Sequence, residues 1–413
     1  MELTIEKFVF GGQGLAKKDG KTYLVWNALP GETVQAKIVK KARSVYEAIS
    51  DKILVSSPDR IQAPEPHYLA CSPWQILKED AENTWKEKIA AETYERLGGL
   101  KEIPLSPILS DSTRLFGYRN KMEYCFSPSA TGLSLAFFER DSNTKCAIDS
   151  CRLEDNAIHQ SATRILDWLK KEGPHEQCLK SLVIRSGTGG RTIAGLFINE
   201  ALGIKTHPEL DHSLTGFRIF ASGKLIHGAG ENNLETYLNG TPLKFGLFSF
   251  FQINVPLFEK TVEDMSVYLD PSLKLIDFYS GVGAIGISLK NRYKSAVLVE
   301  EHAEASAYAK ENIERNGLKN CQAVLSTAEK ITRLIEPDSI VVFDPPRAGL
   351  HPKVIKKILS EKPVRILYLS CDVATHARDI KALSPGYKLK SLKLYNFFPR
   401  TPHIESLAVL DKI

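Results

Sequence analysis

Two side chains near the end of the chain have the chemistry of a nucleophile and a base. Cys371 follows the apolar run Val364–Leu369, where a buried strand gives way to a loop, so its thiol is held rigidly at an edge where ligands bind. We expect neighbouring charges to lower the pKa of this thiol. Glu405 lies on a segment expected to form a strand beside that of the cysteine. A lone cysteine at a strand end is more often a packed hydrophobe, so the interpretation depends on its neighbours.

A glycine-rich turn between a predicted strand and helix indicates a site for a nucleotide-like cofactor. The stretch Asp277–Gly286 contains the pattern G-x-G-x-x-G beginning at Gly281, and Glu300 ends the next strand, where a ribose-binding acid is expected. This pattern alone permits a dinucleotide-dependent oxidoreductase, which stays open as an alternative. The acid Asp277 ahead of the turn favours a cofactor with an adenosine and no pyrophosphate, of which S-adenosylmethionine is the usual one.

A third motif places a carboxylate at the end of another strand. Asp344–Arg347 follows the predicted strand Ser339–Phe343. Such a carboxylate can accept hydrogen bonds from a planar donor, and the two prolines fix its position and stop the strand. The same prolines would also suffice for a plain strand-terminating loop.

Together these motifs resemble the RNA uracil-5-methyltransferases, a class I S-adenosylmethionine-dependent family, and the resemblance covers nearly the whole chain. The matching stretches are Tyr118–Glu123, Ser249–Asn254, Asp277–Gly286, Glu300, Asp344–Gly349, Ser370–Cys371, Ala374–Thr375 and His403–Glu405. The N-terminal stretches Gly11–Gly14 and Leu29–Glu32 are similar to the TRAM barrel, an RNA-binding module that some members carry.

The resemblance implies a function and a role for each matching residue. It implies methyl transfer to C5 of a uridine in RNA, with Cys371 adding to C6 and Glu405 removing the C5 proton. The residues expected to line the cofactor site are Gln252, Tyr279, Gly281, Glu300 and Asp344. The barrel favours 23S ribosomal RNA, because tRNA-specific relatives often lack it. A tRNA uridine C5-methyltransferase and a non-catalytic RNA-binding protein on the same scaffold are the alternatives.

The chain departs from the family where many relatives hold an iron–sulfur cluster. The stretch Leu69–Gln75 contains one cysteine, Cys71, while Cys151 can match the fourth ligand and Cys146 is near. A cluster needs four ligands, so we expect no cluster and no bound metal. Three other departures bear on substrate identity more than on chemistry: Asp372–Val373 stands where Asn-Pro is usual, Ala284 where a polar residue is usual, and Asn396–Phe397 where Asp-Gln is common.

Bulk properties restrict the class of protein. The chain has 413 residues, a net charge of +5 and seven cysteines, too few for a disulfide scaffold. It shows no signal-peptide pattern and no apolar run of about 18 residues. We expect a cytoplasmic protein, monomeric and without a membrane partner.

The order of the predicted elements indicates an α/β protein of three domains. Residues 1–57 predict a small OB-like β-barrel for RNA binding, with a basic cluster at Lys37, Lys40, Lys41 and Arg43. Residues 58–250 predict an antiparallel α+β RNA-binding domain, and residues 251–413 predict a doubly wound, Rossmann-like methyltransferase domain. Short apolar strands alternate with helices there, and the last two runs, Leu389–Phe397 and Ile404–Leu410, predict a closing hairpin.

Overall fold

Short strands separated by tight turns form a six-stranded sheet at the start of the chain. In a computed structural model, which describes residues 1–42, 44–101, 104–129, 132–140, 142–199 and 206–413, these strands are β1 Glu2–Thr4, β2 Lys7–Phe8, β3 Gly14–Lys18, β4 Lys21–Trp26, β5 Thr33–Ala42 and β6 Val45–Val55. Their order in the sheet is β1-β5-β6-β4-β3-β2. Among the described residues, no helix has the length and apolarity needed to span a membrane.

The sequence pattern predicts one strand over Leu3–Val9, and the structure has two. The backbone changes partner between them, because the N–H of Ile5 donates to Glu32 and the N–H of Glu6 donates to Leu15. As a result β1 pairs with β5, whereas β2 pairs with β3. The change of partner folds the sheet around one small apolar core that includes Leu3, Ile5, Ala16, Val25 and Val34.

A second sheet occupies the middle of the chain. Its elements, with the two helices that precede it, are α1 Tyr68–Cys71, α2 Glu79–Gly98, β7 Lys121–Ser129, β8 Gly132–Phe138, β9 Lys145–Ile148, α3 Asn156–Glu172, β10 Leu179–Ser186, β11 Thr192–Ile198, β12 Leu214–Ala221 and β13 Lys224–Gly230. The strand order is β13-β12-β11-β10-β7-β8-β9. The prediction of a wholly antiparallel domain is wrong in one place, because β11 and β12 pair in parallel. For two parallel strands, the chain must return to the end of the sheet at which the first strand began. The long connection between β11 and β12 allows this, whereas a tight hairpin turn joins only antiparallel strands.

The third sheet carries the strand-end motifs. Its elements, preceded by the hairpin of β14 Asn233–Leu238 and β15 Thr241–Gly246, are α4 Val255–Ser266, β16 Lys274–Phe278, α5 Ala284–Ser288, β17 Ser295–Glu300, α6 Ala303–Arg315, β18 Cys321–Leu325, β19 Ser339–Phe343, α7 Pro352–Glu361, β20 Arg365–Ser370, α8 Val373–Leu383, β21 Tyr387–Tyr395 and β22 Glu405–Lys412. The strand order is β18-β17-β16-β19-β20-β22-β21. The first five strands are parallel and the predicted closing hairpin is confirmed, with β22 inserted between β20 and β21.

Both faces of this sheet are buried, which explains why its strands are nearly continuous apolar runs. Residues such as Ile276 and Phe278 pack on one face against α2, α7 and α8. Alternate residues such as Leu275 pack on the other face against α4, α5 and α6. The Rossmann-like prediction therefore holds for this part of the chain. Helix α2, which falls in the predicted central range, contributes Tyr94 to the core of the third sheet.

Candidate active site

A cavity of about 430 Å³ opens at the carboxyl edge of the third sheet. All seven site residues predicted from the sequence lie in its wall: Gln252, Tyr279, Gly281, Glu300, Asp344, Cys371 and Glu405. The remaining lining residues are Phe250, Glu301, Pro345, Pro346, Arg347 and Phe398. Motifs spread over more than 150 positions of the chain thus meet at one site.

The strand register brings the thiol and the carboxylate to the same edge. Strand β20 pairs antiparallel with β22, and Ser370 lies opposite Ser406. Cys371 therefore leaves the end of one strand where Glu405 enters the next, as the sequence pattern predicts. Asp372 accepts hydrogen bonds from the N–H groups of Ala374 and Thr375, at 3.1 and 2.8 Å, and so caps α8. This cap fixes the backbone directly after the cysteine.

The glycine turn is shaped by positive backbone angles and by lack of room. Tyr279 and Gly281 have φ of +62° and +57°, so the chain turns sharply at the strand end and exposes their backbone to the cavity. At Gly286 an added Cβ would lie 2.3 Å from a methyl carbon of Leu298, so only glycine allows α5 to approach β17. Glu300 accepts from the N–H of Gly281 at 2.8 Å, which ties the acid to the turn.

Asp344 and Gln252 form the opposite wall. The Gln252 side-chain amide donates to the Asp344 carboxylate at 3.2 Å. The backbone of Gln252 is held in turn, because the Asn120 side chain donates to its carbonyl at 3.0 Å. The central motif Tyr118–Glu123 thus positions a cavity residue, and Tyr118 donates to the carbonyl of Pro399, in the loop before β22, at 3.0 Å.

Burial is the main cause of the raised pKa values in the cavity. Burial first, and then the nearby Glu405 and Asp344, raise the pKa of the Cys371 thiol to about 12. Burial also raises the pKa of Asp344 to about 7 and holds the pKa of Glu405 well above its ordinary value. The expectation of a lowered thiol pKa is therefore wrong for the protein alone, because burial, together with the nearby Glu405 and Asp344, outweighs the effect of the Arg347 guanidinium.

Of the six further lining residues, sequence reasoning assigned a role only to Pro345 and Pro346. Phe250 and Arg347 sit inside motifs that were recognised, but nothing in the pattern separates them from their neighbours. No sequence pattern marks Phe398 as a site residue, because its position depends on the conformation of the loop between β21 and β22. Phe250 is 63% exposed although it is large and aromatic. Such an exposed ring at the cavity is suited to contact with a ligand.

Comparisons with known proteins agree with this geometry. The profile of the tRNA (Uracil-5-)-methyltransferase family matches residues 243–413. A protein of Gloeobacter violaceus named an RNA methyltransferase is 30% identical over 97% of this chain and 94% of its own length. One of Aquifex aeolicus with the same name is 30% identical over 100% of this chain and 98% of its own. This chain belongs to the RNA uracil-5-methyltransferase family.

A solved structure extends the comparison to the whole fold of this RNA methyltransferase. The tRNA (uracil-54, C5)-methyltransferase of Pyrococcus abyssi, in complex with S-adenosyl-L-homocysteine, superposes with a TM-score of 0.80 at 24% identity. The match covers 99% of this chain and 100% of that one. The two proteins therefore share their fold from the N-terminal sheet to the hairpin of β21 and β22.

One departure of this RNA methyltransferase from its family has a structural explanation. Asn396, which stands in place of the common aspartate, is not among the lining residues of the cavity. Its oxygen accepts from Lys86 at 2.5 Å and its amide donates to Glu82 at 3.0 Å, both on α2. A neutral amide can accept from a lysine and donate to a glutamate at the same time, so Asn396 joins α2 to the end of β21.

Proposed function

We propose that this RNA methyltransferase transfers a methyl group from S-adenosylmethionine to C5 of a uridine in RNA, with Cys371 as nucleophile and Glu405 as base. The observation that carries the proposal is the convergence of both residues with the five predicted cofactor residues on one cavity. A non-catalytic RNA-binding protein has no need of a buried carboxylate beside a strand-end thiol.

The charge of the cavity fits the cofactor. Among its described lining residues, four are acids and one, Arg347, is a cation. When bound, S-adenosylmethionine supplies an electrophilic methyl group on a positively charged sulfur, and that charge offsets the mutual repulsion of the acids. We assign Gln252, Tyr279, Gly281, Glu300 and Asp344 to holding it, with Glu300 placed for hydroxyl groups of a ribose.

Cys371 and Glu405 act in turn on the base. The Cys371 thiol first loses its proton to solvent. Its sulfur then bonds to C6 of uracil, and the electron pair of the C5–C6 double bond moves toward the O4 carbonyl, which makes C5 nucleophilic. Once C5 carries the methyl group, Glu405 takes the C5 proton, the double bond re-forms and the sulfur leaves C6. Only the ionised form of Glu405 can take this proton; the positive charge of the bound cofactor favours that form, and the raised pKa then makes it the stronger base.

The aromatic residues of the cavity provide a surface for the base. Phe250 and Phe398 both line it, and a uridine must leave its stack to reach Cys371, at a cost of a few kcal/mol. Stacking on an aromatic ring is worth about 1–3 kcal/mol per base, enough to offset much of that cost.

We keep large-subunit ribosomal RNA as the proposed substrate and tRNA as the second candidate. The preference for ribosomal RNA rests on the N-terminal sheet, which we interpret as a TRAM module. The Pyrococcus abyssi protein, named for uracil-54 of tRNA, matches this chain over its full length, so such a module is compatible with either RNA.

Quantifying 5-methyluridine in separated ribosomal RNA and tRNA from cells with and without the gene tests both levels of the proposal. Loss of one modified position in ribosomal RNA supports the first candidate, and loss from tRNA supports the second. Unchanged 5-methyluridine in both fractions, together with no methyl incorporation by the purified protein into either RNA, would reject the activity.

A further inference from the structure

Four potential metal ligands meet away from the active site, where the segment before α2 contacts the central sheet. They are Glu65, His67, Cys71 and Cys151, and one ligand atom from each lies within 4.8 Å of the others. Three of them are buried and Cys71 is half-buried. Cys71 ends α1 and Cys151 follows β9, so the group joins two parts of the chain that are 80 positions apart.

His67 directs an unused nitrogen into this group. The side chain is 8% exposed, and its Nε2 atom is buried with no conventional hydrogen-bond partner. That atom lies 3.5 Å from Oε1 of Glu65, too far for a good hydrogen bond but suitable for two ligands of one ion. The imidazole also interacts with the Cys71 thiol, so one metal ion placed between these side chains would bind the nitrogen, the sulfur and the carboxylate together.

The other ligands are held by a second layer of hydrogen bonds. Gln75 donates to Oε2 of Glu65 at 2.6 Å, and the backbone N–H of Arg152 donates to Oε1 at 2.6 Å. Gln75 also donates to the Ser72 hydroxyl, which lies 3.0 Å from the Cys71 sulfur. Fixed outer partners of this kind orient metal ligands in proteins.

The donor set selects the class of ion. Two sulfurs, an imidazole nitrogen and a carboxylate oxygen make a four-coordinate set that suits zinc and similar borderline-soft divalent ions. We propose that Glu65, His67, Cys71 and Cys151 bind one zinc-like divalent ion that clamps the segment before α2 to the central sheet. Among the described residues Cys146, the third cysteine considered for an iron–sulfur cluster, is not part of the group.

The first test measures metal content and coordination in the full-length protein. Purified under reducing conditions and given one equivalent of zinc, the wild type should retain about one ion per chain after gel filtration. Replacing zinc by cobalt should give the strong visible bands of a tetrahedral site and a sulfur-to-cobalt charge-transfer band. Cys151→Ser and His67→Gln should each weaken zinc binding by more than about tenfold, whereas the matched control Cys146→Ser should bind as the wild type does.

A second variant keeps the test valid if the buried substitutions unfold the protein. Cys71→His replaces a sulfur by a nitrogen at the half-exposed position, and should keep the ion while reducing the charge-transfer band by about half, because one thiolate remains. Three results would overturn the proposal: reduced wild type that releases zinc on gel filtration, equal zinc affinity in Cys151→Ser and Cys146→Ser, or uptake of about four irons with sulfide on anaerobic reconstitution.

Discussion

At the scale of single residues, the cavity brings together a thiol and two carboxyl groups that burial keeps protonated to a higher pH than usual. Cys371, Asp344 and Glu405 each have a raised pKa, and burial is the largest cause for all three. The thiol and the two carboxyl groups line the same cavity, so all three can contact one bound ligand. The cationic cofactor is the partner that makes this arrangement favourable.

Cys371→Ala should separate chemistry from folding. We expect unchanged cofactor affinity and melting temperature, because the thiol lines a cavity rather than the core, with methyl transfer lost. Cys178→Ala, at another partly buried cysteine, is the matched control and should stay fully active. Turnover of Cys371→Ala within about tenfold of wild type, a change of only ~1.4 kcal/mol in barrier, would contradict the assignment.

Glu405→Gln should trap the enzyme on its RNA, because the sulfur cannot leave until the C5 proton is removed. A denaturing gel with labelled RNA should show a shifted band that requires S-adenosylmethionine. The double variant Cys371→Ala/Glu405→Gln should show no such band. Normal turnover by Glu405→Gln would assign the base to another group.

At the scale of elements, the glycine turn depends on a buried acid that does not line the cavity. Asp277 is fully buried on β16, accepts from the N–H of Gly286 at 3.0 Å and leaves its other oxygen without a partner. Burial raises its pKa to about 8. The residue holds α5 against the strand end, so it shapes the cofactor site from behind.

This acid makes stability depend on pH in a defined direction. The ordinary aspartate pKa is about 3.9, so between about pH 4 and pH 8 the folded state binds a proton that the unfolded state has lost. The free energy of unfolding should therefore fall as pH rises through this window. Asp277→Asn should flatten the fall in urea titrations from pH 5 to pH 8, while the exposed Asp338→Asn should follow wild type. An unchanged slope in Asp277→Asn would show that Asp277 titrates normally.

The sequence allowed an element or a motif to be predicted where a single local rule determines its structure. Parallel strands end at a common edge, so Gly281, Asp344 and Cys371 had to meet once their strands were recognised. The sequence could not show Phe398 in the cavity or Asn396 against α2, because those contacts depend on how distant segments pack. Counting cysteines likewise missed Glu65 and His67, whose approach to Cys151 exists only in the folded chain.

At the scale of the whole molecule, the N-terminal sheet extends a basic arm beyond its own core. In β5 the residues from Lys37 to Lys41 are all exposed, including Ile38 at 42% and Val39 at 47%. Both faces of β5 are thus accessible there, although Ala48, the partner of Ile38 on β6, is buried. Arg43, the fourth member of the predicted cluster, lies outside the described residues.

Replacing Lys37, Lys40 and Lys41 by glutamine should weaken RNA binding and reduce its salt dependence, by a log–log slope of about 0.7–0.9 for each lost phosphate contact. Deleting the whole N-terminal sheet is a poorer test, because its residues Phe8 and Leu29 pack into the core of the third sheet. Affinity should be measured at several salt concentrations, with Lys353, Lys356 and Lys381 changed together as the control. Equal slopes for the two triple variants would argue that the arm is only solvated.

The position of β22 also bears on how the third sheet is completed. Because β22 lies between β20 and β21, β21 joins the sheet only when β22 has formed, while Leu105 and Leu109 bridge the outer edge of β21. Before that moment the apolar strand β20 is an open edge, and such edges recruit strands from other chains. Substitutions that delay the pairing of β22 should therefore cause aggregation during synthesis. When β22 does pair with β20, the same step covers the open edge and brings Glu405 to the cavity.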